Sequence, residues 1–195
     1  LAYTADGVWT GEVARFNPEK VSEYCYEVVR DGYTVRSEWK KHTLVLPEGV
    51  TPKTLVINDR WNDRPSDSPF YSSAFTDAIF GRKDKKAAKA PKGANVVLQV
   101  AAPSLRPGEV LALAGSGKAL KEWTKVVPFD ASCFPVWNLA LEVTEPFSYK
   151  ILIADKETLT PVAWENGENR WFLNVPQKDE VTVEADAQVR FYGRD

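Results

Sequence analysis

The sequence is poor in the residues that most often carry chemistry. It has one histidine, His42, two cysteines, Cys25 and Cys133, and no methionine among 195 residues. Two thiols and one imidazole fall short of a four-ligand zinc site, so no metal is expected. A disulfide would have to join the two halves of the chain, and the reading is instead of free, buried thiols in a reducing compartment. No apolar run approaches the ~18 residues of a membrane helix, and no signal peptide is recognisable. Charge of one sign is also missing: 25 Lys and Arg face 27 Asp and Glu, a net of −2. No long-range field then favours nucleic acid or an anionic membrane. The expected setting is cytoplasmic. The chain opens at Leu1 without methionine, which reads as a piece of a longer protein.

Catalytic motifs are equally scarce. AGSGKA (114–119) suggests a phosphate loop but fails as one. Ala112 stands five positions before Gly117, where glycine is required, and Ala119 follows Lys118, where Ser or Thr is required. A tight β-turn is the plainer reading. There is no G-x-S-x-G and no H-E-x-x-H, and a serine triad could draw only on His42. Carboxylates such as Asp155, Glu165 and Glu168 are plentiful, but about 100 residues of sandwich leave little room for an enclosing cleft. No cofactor and no catalytic residue is expected in this chain.

Aromatics and strands are what is present. Aromatics reach 12%, with seven tryptophans, a residue that serves recognition surfaces as well as cores. β-Branched and aromatic runs recur between Gly, Pro, Asn and Asp, from GVWTGEVARF (7–16) to EVTVEA (180–185). Short strands at near-regular spacing predict an all-β, antiparallel sandwich of the immunoglobulin-like kind. In VWNLALEV (136–143), Trp137, Leu139, Leu141 and Val143 share one face, which predicts burial of that face. KKAAKA (85–90) is the one plausible helical stretch. It falls in a basic spacer, preceded by SPFYSSAFTDAIF (68–80), which is apolar enough to dock on a neighbour.

The halves also align as an internal repeat. Trp9 answers Trp137, Tyr24–Cys25–Tyr26 answers Phe147–Ser148–Tyr149, Trp39 answers Trp164, and Pro47 answers Pro176. Residues 1–64 read as the C-terminal part of a degenerate first domain, 65–94 as a linker, and 95–195 as a complete second domain.

The second half carries an ordered series: AGSGKALKEW (114–123), FPVW (134–137), FSYK (147–150) and WENGENR (164–170). A pyranose shows C–H groups on its faces and hydroxyls at its rim. Indole faces suit the former, and an ammonium or amide suits the latter. Trp123 and Trp164 could stack on a sugar while Lys150 and Asn169 orient it. From spacing alone, both indoles could equally be core residues, and Lys150 could be a solvated strand position.

As a set, the series resembles the starch-binding domain, the family 20 carbohydrate-binding module, over 95–176. The resemblance implies an antiparallel sandwich with two α-glucan sites. The first would be formed by Trp123, Lys150, Trp164 and Asn169, with Glu165 adjacent. Lys121 stands where the family usually has glycine. The second would use Trp137, although Pro107 and the short DASCF (130–134) replace its tyrosine neighbours. In the first half Glu27 stands at the Lys150 position and KKH (40–42) replaces the N-R element. TLVINDRWNDRP (54–65) is similar to the family's closing strand. Two such modules in tandem resemble the region preceding the catalytic barrel of larger 4-α-glucanotransferases. The implied partners are an α-glucan and a catalytic domain of the same polypeptide. The alternative is a docking region whose sugar site has decayed.

Overall fold

The computed structural model describes residues 1–14, 22–64, 88–102, 105–186 and 189–194. SPFYSSAFTDAIF and the first part of KKAAKA lie outside them. The described remainder of KKAAKA is extended, with Lys89 bridged to Glu48. Among the described residues there is no α-helix, and no helix is long and apolar enough to cross a membrane.

The strands of the first half are short: β1 (Ala2–Tyr3), β2 (Trp9–Thr10), β3 (Ser22–Tyr24), β4 (Glu27–Arg30), β5 (Tyr33–Ser37), β6 (His42–Leu44) and β7 (Thr54–Asn58). Those of the second half are longer: β8 (Val96–Ala101), β9 (Glu109–Gly115), β10 (Val127–Pro128), β11 (Val136–Leu141), β12 (Phe147–Asp155), β13 (Pro161–Trp164), β14 (Arg170–Phe172) and β15 (Glu180–Asp186). One sheet runs β10-β9-β12-β13, with β14 also paired to β12. The other runs β11-β8-β15-β7. The two pack face to face as a sandwich.

The alternation in 136–143 holds. Trp137, Leu139, Leu141 and Val143 are all 8% exposed or less and join the main core. From the opposite sheet, β9 sends Leu111 and Leu113 inward, and β12 sends Phe147, Tyr149, Ile151 and Ile153. Two differences from the sequence reading stand out. β15 runs parallel to both β8 and β7. The chain reaches β15 from the opposite sheet and not through a hairpin, so nothing forces an antiparallel pair. The outer face of this sheet is also covered. Leu44, Val50, Val97, Val181 and Val183 form a second apolar cluster there, and Gln99 Nε2 donates to Val45 O at 2.7 Å. β8 is thus buried on both faces, which accounts for its near-continuous apolar run.

The strand read as closing the first domain, β7, is therefore the last strand of the second domain's sheet, in register Leu55↔Val181 and Ile57↔Val183. Nor do the repeat-related tryptophans occupy like places. Trp9 is exposed in a two-residue strand, whereas Trp137 is buried.

The first half holds its own polar cluster. His42 Nε2 lies 2.8 and 3.0 Å from the Glu38 oxygens, and its ring stacks on Tyr24. Tyr24 and Tyr26 both donate to Asp59 Oδ2, at 2.8 and 2.7 Å. Burial first, then the Asp59 carboxylate, raises both phenols above the usual tyrosine range. His42 is thus a structural group here. The thiols are corrected: they form no disulfide, as expected, but Cys25 is exposed and Cys133 half-buried. Both fall where the flanking strands offer no closed core.

A candidate sugar-binding face

On its outward side the β9–β12–β13 sheet carries Ala112 and Ala114 from β9, both buried at 1% exposure or less. On β12 the outward positions are Ser148, Lys150 and Leu152, since Tyr149 and Ile151 point into the core. Lys150 lies opposite Ala114, and Leu152 lies between Ala112 and Trp164. Cross-strand partners share a face, so Trp164 stands on the same side as Lys150, one strand over and about 7 Å along.

Trp123 reaches this region through a turn. Leu120 is buried at the end of a short 3₁₀ turn, Lys118–Leu120, and Trp123 N donates to Gly115 O at 2.6 Å. Only glycine fits at 115: a Cβ there would come within 2.5 Å of Ser148 O and 2.6 Å of Leu120 Cδ1. Lys121, Glu122 and Trp123 have φ of 47°, 48° and 67°, three successive left-handed residues, a conformation that costs a non-glycine residue about 1–2 kcal/mol. Replacing Lys121 by glycine is expected to raise stability by about 1 kcal/mol. An increased urea midpoint at unchanged slope would show it, and a lowered midpoint would refute the strain.

Between β13 and β14 the ladder on the edge of β12 is interrupted at 150–151, where Glu165 N donates to Ile151 O at 3.0 Å and the loop 165–169 begins. Glu165 fills the gap. Its Oε1 accepts from Ile151 N at 2.8 Å and its Oε2 from Arg170 Nε at 2.7 Å. Lys150 holds the same loop from outside: its Nζ donates to Gly167 O at 2.6 Å and Glu165 O at 3.3 Å. An ammonium has three donors, so one remains for a ligand.

The predicted residues therefore separate by place. Trp123 and Trp164 are each 37% exposed, which leaves an indole face on offer. Lys150 is half-buried beside Trp164, and Asn169 is exposed at the end of the pinned loop. Glu165, at 2% exposure, presents no atom to a ligand and acts on the loop from within. Trp137 is corrected. It is 5% exposed, its Nε1 donates to Ala102 O at 3.0 Å, and its ring packs edge-on against Phe134. Its phase on β11 turns the whole indole into the core, so it offers no sugar a face.

Two exposed aromatics were not singled out from sequence. Trp171, 65% exposed, lies opposite Ser148 on β14. Tyr192, 61% exposed, lies beside Trp164, where its N donates to Trp164 O at 3.0 Å. Alternation within RWFLN could have shown Trp171 on the same face as Asn169. Nothing local marks Tyr192, because its place depends on residues 189–194 folding back onto 164–166.

A face with two half-exposed indoles, a directed ammonium and an amide can stack on a pyranose and bond its rim. The family model described as "Starch binding domain" matches residues 93–185. A 4-alpha-glucanotransferase DPE2 from Oryza sativa subsp. japonica is 34% identical over 129 residues, which is 60% of this chain. The chain spans 13% of that relative's length. The family 20 module of a maltotetraose-forming amylase from Pseudomonas saccharophila STB07 is 16% identical, with a TM-score of 0.40 over 47% of this chain and 97% of that one. The family 15 glucoamylase from Hypocrea jecorina is 23% identical, with a TM-score of 0.41 over 50% of this chain and 17% of that one. Over residues 93–185, just under half of its length, this chain is similar to the starch-binding domain family.

Proposed function

We propose that the chain is a non-catalytic α-glucan-binding region of a 4-α-glucanotransferase. What supports this reading is the match over 93–185 together with two half-exposed indoles, Trp164 on the same side of the sheet as Lys150 and Trp123 in the turn bonded to Gly115. The indoles stack on the sugar, and Lys150 and Asn169 bond its hydroxyls. Glu165 holds the loop that places Asn169. Two half-exposed indoles suit a curved starch or glycogen chain. A single small site binds modestly, and its value lies in tethering. It raises the glucan concentration seen by a catalytic domain on the same polypeptide. The unjoined thiols Cys25 and Cys133 support a reducing, cytoplasmic setting.

Titration of the chain with β-cyclodextrin in a calorimeter tests the reading. Saturable heat is expected. Absence of heat with β-cyclodextrin and with maltoheptaose would overturn it in favour of a docking region with a decayed site.

A further inference from the structure

The aromatic surface does not stop at the two-indole centre. Residues 189–194 return to the edge of β13. Asn166 N donates to Arg190 O at 2.8 Å, Glu165 bridges Phe191, and Tyr192 N donates to Trp164 O. Arg194 clasps Glu109 beyond them. Glu165 and Phe191 are a directly opposed antiparallel pair, and both are buried, at 2% and 7%. Their neighbours Trp164 and Tyr192 are then also opposed, on the outward side. Tyr192 is 61% exposed there, one strand spacing of about 4.8 Å from Trp164. It lies outside the matched span 93–185.

Trp171 lies at the other end. It opposes Ser148, two residues along β12 from Lys150 and four from Leu152, the partner of Trp164. Trp164 and Trp171 are therefore about 13 Å apart along the strand, farther than one sugar ring extends. Trp171 alternates with Arg170 and Phe172, which point inward, so its indole faces out with Lys150.

We infer that Tyr192 and Trp171 are outer aromatic subsites flanking the Trp164–Lys150 centre, and that the surface takes a linear α-glucan of several units rather than a disaccharide. The inference rests on the glucan-binding reading above. Its ligand is polyhydroxylated with apolar C–H faces, because each outer position offers an aromatic face. Maltose is held by the centre alone, and longer chains gain from the flanks. Each flank contributes one stacking contact, about a 3- to 10-fold gain in affinity.

Calorimetric titrations with maltose and maltoheptaose test this on wild type, Tyr192→Ala and Trp171→Ala. The wild type is expected to bind maltoheptaose more tightly. Each variant should weaken maltoheptaose about 3- to 10-fold and leave maltose unchanged. Tyr192→Phe and Trp171→Phe, which keep the ring, should restore the longer sugar. A variant of either residue that retains the full chain-length gain overturns the inference. Equal loss of both sugars overturns it too, since that marks a role in folding. Absence of binding in the wild type defeats the glucan reading itself, an outcome distinct from either.

Discussion

Replacing Glu165 by alanine is expected to destabilise the protein by about 3–5 kcal/mol and to remove sugar binding with it. Its carboxylate is 3% exposed and faces Arg170, whose side chain is 20% exposed. Removing one partner of a buried pair leaves the other charge uncompensated, which costs about that much. Ile151 N loses its acceptor as well, and an orphaned buried N–H adds to the penalty. The loop 165–169 would keep its backbone bonds and Lys150 but lose the carboxylate that ties it to Ile151 N and Arg170. Urea unfolding gives the stability, and β-cyclodextrin titration gives the binding. Glutamine at 165 keeps the shape and one acceptor oxygen, so it should cost less than alanine. A loss below about 1 kcal/mol for alanine would show that the loop does not depend on this group.

Replacing Trp164 by alanine should separate binding from folding. Its ring is 37% exposed and packs from outside the core, so most of the fold's stability remains. A central stacking aromatic is the kind of residue whose truncation costs about 2–4 kcal/mol of binding, roughly 30- to 1,000-fold. Retention on starch and heat with β-cyclodextrin should both disappear while the unfolding midpoint moves little. Binding within about threefold of wild type would place the site elsewhere.

The contrast between these two residues also shows what the sequence could convey. Spacing alone left Trp164 open as a core residue and Lys150 as a solvated strand position; the resemblance singled them out with Asn169, and the structure leaves Trp164 and Asn169 exposed and Lys150 half-buried. The burial phase of β11 is legible, since alternation is a local property. Glu165 stands beside the sugar site only because the resemblance puts it next to Trp164. Its burial follows from a gap in the β12 ladder, and that gap exists only once β13 and β14 are both in place. Trp137 illustrates the converse. The series placed it among the sugar contacts, while the strand phase placed it in the core, and packing decided between them. The parallel pairing of β7 with β15 joins residues more than 120 positions apart, and no periodicity in either strand announces it. Lys121 takes up a left-handed backbone that glycine would adopt without strain, a property no pattern within the segment announces.

The pairing of β7 with β15 has a consequence for how the protein can be divided. β15 is bonded on one side by β8 and on the other by β7. A cut placed before residue 95 would respect the match to the starch-binding family yet strip β7 away. Five residues of β15, Glu180–Glu184, would then show a row of unsatisfied N–H and C=O groups, with Val181 and Val183 newly wetted beside them. Such a rim is a template for pairing with another chain. The first half would then act as the guard that keeps the other sheet from adhering to copies of itself.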